Sequence, residues 1–174
     1  MENISKNDIE LEGGLEKNDT KDKYILYIAD VISIGPLAIL LVLFYISINN
    51  FRLQEFILAI ILIFLNYVVT FIKNLPYPES LYKITRRPEK SFNCDYLSRN
   101  GKQSKDAPGF PSGHMTSVAF FAVYQIMNGY SIHANVLIVL LTGWARWYKN
   151  NHNSVQIIVG TIFGSILSYF YCKI

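Results

Sequence analysis

The chain has 174 residues, 51% of them hydrophobic and 17% charged, with a net charge of +3 at pH 7. An ordinary soluble domain carries about 25% charged residues, so this composition excludes a typical soluble protein. The small positive surplus gives no argument for nucleic acid as a partner.

Residues 1–23 are polar and acidic and lack the apolar stretch of a signal peptide. They read as a disordered tail, and residues 24–174 read as one membrane-embedded domain. Apolar stretches near bilayer length, about 17–25 residues, follow at 25–48, 54–72, 113–129, 132–148 and 155–172. Backbone polar groups in lipid must be satisfied within the segment, so each stretch should be helical. The expected fold class is all-α, a polytopic membrane bundle of about five transmembrane helices. The third and fourth stretches are shorter and carry polar residues, which predicts burial inside the bundle. Pro36 is expected to kink the first span, and Asn50 and Asn128-Gly129 fall where turns are needed.

One long polar segment, residues 73–112, separates the second and third spans. It holds Lys73, Lys83, Arg86, Arg87, Lys90, Arg99, Lys102 and Lys105 against Glu79, Glu89, Asp95 and Asp106. Pro76, Pro78, Pro88, Pro108 and Pro111 keep much of it from being helical. A long ordered loop of this kind usually serves function. With five spans, all the basic loops converge on one face, and of the 16 Lys and Arg only Arg52 and Lys173 fall on the other. By the positive-inside rule the basic face is cytoplasmic. The tail offers a check, because Asn3-Ile4-Ser5 and Asn18-Asp19-Thr20 are glycosylation acceptor patterns, and glycan there would put that face in a lumen. Cys94 and Cys172 should lie on opposite faces, too far apart for a disulfide.

Three clusters on the basic face carry candidate chemistry. Phe110-Pro111-Ser112-Gly113-His114 opens the third span. Serine suits a helix cap and proline its first turn, a positive helix end binds phosphate oxygens, and His114 would stand beside the anion. The bland alternative is an ordinary cap with an interfacial histidine. Arg146 ends the fourth span and His152 precedes the fifth. Gln156, four residues on, shares a helix face with His152 and can hold one ring nitrogen while leaving the other to react. Arg87-Pro88, with Arg86 and Lys83 or Lys73 nearby, can grip a phosphate through paired hydrogen bonds, although taken alone it reads as a solvated basic loop.

Together the three clusters resemble the type 2 phosphatidic acid phosphatase family over residues 54–172. That signature is a lysine followed by Arg-Pro, then Pro-Ser-Gly-His, then Ser-Arg, five residues, His, three residues and Asp. The chain has Arg87-Pro88, an intact Pro111-Ser112-Gly113-His114, and Arg146 with His152 at the family spacing. It departs in three places. Ser80 occupies the usual lysine position, leaving Lys73 or Lys83 to serve, with Lys73 preferred. Ala145 replaces the serine before Arg146, and Gln156 replaces the aspartate behind His152. The last substitution resembles the dolichyl-diphosphatase branch, which has His-x-x-x-Gln at this point.

The resemblance implies a metal-independent, cofactor-free hydrolase for a lipid phosphate or a polyprenyl or dolichyl diphosphate. His152 would be the nucleophile that forms a phosphohistidine, oriented by Gln156, and His114 the acid and then the base. Lys73, Arg87, Ser112, Gly113 and Arg146 would bind the phosphoryl oxygens. The expected partners are the lipid substrate and the bilayer. The resemblance further implies a multi-pass protein of the endoplasmic reticulum or another internal membrane in a eukaryotic or viral setting, with the active face in the lumen. The alternative function is a lipid-binding scaffold that keeps the fold with little or no activity, motivated by Gln156 and the displaced lysine.

Overall fold

The computed structural model describes residues 23–51, 53–88, 91 and 107–174. Residues 1–22 of the expected disordered tail, Cys94, and the charged residues Arg52, Glu89, Lys90, Asp95, Arg99, Lys102, Lys105 and Asp106 lie outside those residues, whereas Lys23, the last residue of that tail, is helical.

Every regular element among the described residues is helical. Helix α1 covers residues 23–33 and continues, after a turn at Ile34, into α2, Gly35–Asn50. The two run as one apolar stretch, Lys23–Asn50. Pro36 sits in the first turn of α2 and cannot donate to the Ile32 carbonyl, which is why the expected kink takes the form of a break at Ile34. Helix α3, Leu53–Lys73, follows directly.

The chain then leaves the apolar layer through a short 3₁₀ turn, Glu79–Leu81, and a four-residue helix α4, Tyr82–Thr85. It returns at 107–110 alongside its own departure point. Arg86 and Pro108 form an antiparallel bridge, Arg87 N donates to Ala107 O at 3.0 Å, and Gly109 N donates to Thr85 O at 2.8 Å. Helices α5 (Gly113–Met127), α6 (Ile132–Tyr148) and α7 (Ser154–Tyr171) complete the bundle.

Lys23–Asn50, Leu53–Lys73 and Ser154–Tyr171 are long and apolar enough to cross a membrane. Their outward residues, such as Leu41, Phe64, Phe71, Ile158 and Phe170, are exposed, as lipid-facing side chains would be. Helices α5 and α6 have 15 and 17 residues. The expectation of burial holds for α5, which packs against α3, α6 and α7. It fails for α6, whose Val136, Leu137, Leu140 and Leu141 are exposed. The polar positions of α6 are instead gathered on one inward stripe: Asn135, Thr142 and Arg146.

The most extensive helix contact is α5 on α7. Gly160 and Gly164 make its close approach, and with Ser168 they are buried small residues spaced four apart on one face of α7. A methyl group at Gly160 would lie 2.6 Å from Ser112 O, and one at Gly164 would collide with the Thr116 carbonyl. The two helices therefore touch backbone to backbone, the small-residue mode that favours association in lipid, where no hydrophobic force drives helices together. Because Ser112 and Thr116 are the partners, this contact fixes the start of α5 against the start of α7. An apolar cluster of Leu43, Leu58, Ala59, Leu62, Leu65, Phe120 and Tyr124 fills the rest of the bundle.

Candidate active site

The start of α7 is built by two local devices. Helix α6 ends with Asn150 in the left-handed region at φ 54°, which asparagine tolerates better than most residues. Asn150 N donates to Trp147 O and Asn151 N to Arg146 O, at 2.9 and 3.0 Å. This is the Schellman closure, and it turns the chain so that His152 falls back over Arg146. Helix α7 then starts with a capping box. Asn153 Oδ1 accepts from Gln156 N at 2.9 Å, and Gln156 Oε1 accepts from Asn153 N at 3.3 Å.

Gln156 has a second set of partners. Its Nε2 donates to two carbonyls at 2.7 Å each, Ile84 O and Arg86 O. Two carbonyls can only accept, so the amide can point only one way, with Oε1 toward His152. Oε1 lies 3.0 Å from His152 Nδ1. An amide oxygen can only accept, so Nδ1 must carry the proton, and Nε2 of the neutral ring keeps its lone pair. The clamp thus runs from the Arg86 backbone through Gln156 to the tautomer of His152. An aspartate or glutamate at 156 could orient the ring but could not donate to those carbonyls.

Gln156 is fully buried and His152 is 2% exposed. Burial, followed by the charges of Arg146, Arg87 and Lys73, pushes the His152 pKa well below the ordinary 6.5, against a smaller upward pull from the Gln156 hydrogen bond. The ring is therefore neutral at physiological pH, the form that a nucleophile requires.

The other expected residues gather around this histidine. Arg87 is buried, and its Nη1 donates to Asn151 O at 3.3 Å. Arg146 is 1% exposed. Ser112 is the N-cap of α5, but its hydroxyl makes no cap bond and is buried without a partner. Its backbone instead donates to Gln156 O at 3.1 Å. Gly113 begins α5, and His114 is half-buried in the first turn. Arg146, Lys73, Arg87 and Lys149 all act electrostatically on His114.

The two candidate lysines separate clearly. A Cβ placed on Gly113 would lie 3.9 Å from Lys73 Nζ, so Lys73 reaches the start of α5 from the end of α3. Lys83 is exposed, and it contributes its carbonyl, which accepts from Asn153 Nδ2 at 3.0 Å. Among the described residues, no group of three His, Cys, Asp or Glu converges as a metal site would require.

Sequence reasoning missed four residues at this site. A Cβ on Gly109 would fall 2.8 Å from both amide atoms of Gln156 and 2.9 Å from Arg87 Cγ, so only glycine lets the returning strand pass. Asn151 supplies the carbonyl that holds Arg87. Asn153 caps α7, and the asparagine-to-glutamine spacing of a capping box was visible in the sequence. Lys149, buried one turn beyond Arg146, pairs with Asp30 of α1.

Over 72 positions the chain is 32% identical to lipid phosphate phosphatase epsilon 2, chloroplastic, of Arabidopsis thaliana. That match covers 35% of this chain and 25% of the relative, so the chain aligns with about a quarter of the relative's length. No solved structure matches. The sequence profile of the PAP2 superfamily matches residues 54–174, which include every candidate site residue described above. The chain belongs to the PAP2 superfamily.

Proposed function

We propose that this protein is a membrane lipid phosphatase that hydrolyses a lipid phosphate or a polyprenyl or dolichyl diphosphate through a phosphohistidine. Family membership and the apolar helices support phosphatase action on lipid phosphates in a membrane. The observation that carries the mechanistic reading is the Gln156 clamp, which puts the ring proton of His152 on Nδ1 and leaves Nε2 as the reactive nitrogen, in a ring that burial and the charges of Arg146, Arg87 and Lys73 keep neutral.

In this reading Nε2 attacks phosphorus while the bond from phosphorus to the lipid oxygen breaks. His114 gives its proton to the departing oxygen, then takes one from the water that attacks phosphorus and releases the histidine. Lys73, Arg87, Arg146, the Ser112 hydroxyl and the Gly113 amide neutralise the phosphoryl oxygens. Charge stabilisation of that kind is the main demand of phosphoryl transfer. Five spans, with α5 and α6 crossing beside α7, leave the headgroup on the basic face and the tail among the helices. An internal membrane such as the endoplasmic reticulum suits a polyprenyl diphosphate substrate.

The test is phosphate release from lipid monophosphates and diphosphates by purified protein in the presence of a magnesium chelator. Release with at least one lipid is expected. A folded protein that releases none favours the scaffold reading, in which Gln156 has replaced the acid at the cost of activity.

A further inference from the structure

A cavity opens beside the Arg86-Arg87 strand, and neither Arg87 nor His152 is among its lining residues. It encloses about 200 Å³, and Lys73, Asn74, Tyr77, Thr85, Arg86 and Pro108 are among its walls. Arg86 leaves α4 in extended backbone, at φ −93° and ψ 154°. Successive side chains of an extended segment point to opposite sides, which separates the two arginines. Arg87 turns toward Asn151, whereas the Arg86 guanidinium lies 3.9 Å from the centroid of the Tyr82 ring.

Three backbone ties keep Arg86 in place. Its N–H donates to Tyr82 O, it bridges to Pro108, and its carbonyl accepts from Gln156 Nε2. The ring contact adds a cation–π attraction. Arg86 is therefore held relative to the same glutamine that orients His152. Lys73 forms another wall of the cavity, and its Nζ also reaches the start of α5 at Gly113. The lysine thus lies between the two compartments. Two cations beside a space of this size suit a compact oxyanion, since arginine forks and ammonium groups bind phosphate oxygens with charge-assisted hydrogen bonds.

The geometry points to a second anion subsite between Lys73 and Arg86, which takes a phosphate-like group next to the one held at His152. The inference rests on reading the His152 compartment as a phosphoryl site. Two sources supply such a group: the second phosphate of a diphosphate lipid, or free inorganic phosphate.

Arg86→Gln removes the cation and leaves the backbone clamp in place, and Arg86→Lys is the conservative rescue. Both full-length variants should unfold in detergent at the wild-type temperature. If the second phosphate of the substrate is the occupant, Arg86→Gln raises KM for a lipid diphosphate about tenfold. KM for the monophosphate of the same lipid stays unchanged, and Arg86→Lys recovers most of the loss. If free phosphate is the occupant, the inhibition constant of inorganic phosphate rises about tenfold while both KM values hold. Either result supports the subsite. An equal rise in KM for both lipids, or no change in any of these constants, overturns it. A separate arm needs no turnover: inorganic phosphate should raise the unfolding temperature of wild type more than that of Arg86→Gln. Should wild type hydrolyse no lipid, the phosphatase reading fails and this arm still decides the subsite, with equal shifts counting against it.

Discussion

Helices α5 and α7 meet twice, and in opposite ways. At the basic end they touch through backbone, with Gly160 and Gly164 against the carbonyls of Ser112 and Thr116. At the far end they touch through rings, with Phe120 and Tyr124 at 5.9 and 6.0 Å from Tyr171. The basic end buries a cluster of polar groups, Arg87, Ser112, Thr116, Arg146, Asn151, His152 and Gln156, beside Val69, Met115 and Ala145. The far end buries Leu58, Leu62, Leu65 and Phe120. A ring can shift and refill space at modest cost. A polar network cannot, because moving one member beyond hydrogen-bond distance leaves the groups it was paired with buried and unsatisfied. Position matters at the first end and volume at the second.

Four substitutions would break or sharpen that contrast. His152→Ala should reduce turnover by more than about a thousandfold, measured on protein that detergent unfolding shows to be folded, with stability lowered by the loss of a buried, hydrogen-bonded side chain. Activity that survived the change would remove His152 as the nucleophile. Gly164→Leu should come next, because it drives a side chain into the Thr116 backbone. A loss of about 3 kcal/mol in stability and most of the activity is expected, read from detergent unfolding together with phosphate release. Retention of both would mean that the helices do not meet through backbone.

Gln156→Glu is the sharper test of the clamp. It should lower stability, since two buried carbonyls lose their donor at about 1–3 kcal/mol each, and lower kcat about 10–100-fold, since the ring is no longer held in register. It should also move the acid limb of the kcat/KM profile. In wild type the neutral ring is the active form and its pKa is lowered, so activity should hold as pH falls through 6.5 and decline only below that value. A carboxylate beside Nδ1 favours the imidazolium, so the decline in the variant should begin at higher pH. An acid limb that does not move would dissociate Gln156 from the titrating group. Leu58→Ala, at the far end, should have the smallest effect on chemistry. Stability falls by about 2 kcal/mol, with kcat and the pH profile unchanged below the unfolding temperature. A changed pH profile there would show that the two ends are not independent.

Much of this was legible in the sequence for a physical reason. Helices in lipid must satisfy their own backbones, so apolar length alone announced the three longest, and the basic residues collect between the apolar stretches. Pro111-Ser112-Gly113-His114 and the spacing from Arg146 to His152 were readable because local motifs fix both, a helix start in one case and a Schellman turn in the other. The choice of Lys73 over Lys83 was left open because it depends on which helix end lies beside Gly113, a tertiary fact. The second role of Gln156 was invisible for the same reason. Its carbonyl partners at 84 and 86 are some seventy positions earlier. The expected burial of α6 failed because polar residues were counted along the helix and not around it. Asn135, Thr142 and Arg146 lie on one stripe, which leaves the opposite face for lipid.

The ion pair between Asp30 and Lys149 bears on how such a protein is made. Asp30 belongs to the first span, which precedes the matched region at 54–174. An acid in an apolar segment is costly until a base meets it, and here the base is translated more than a hundred residues later. The first span therefore enters the bilayer with its partner still unwritten, and it docks only when the end of α6 arrives. A chain trimmed to the matched region would be born without that counter-ion for Lys149. Fusion partners, tags and expression boundaries for this protein belong ahead of residue 23, where they leave the earliest helix free to wait for the latest turn.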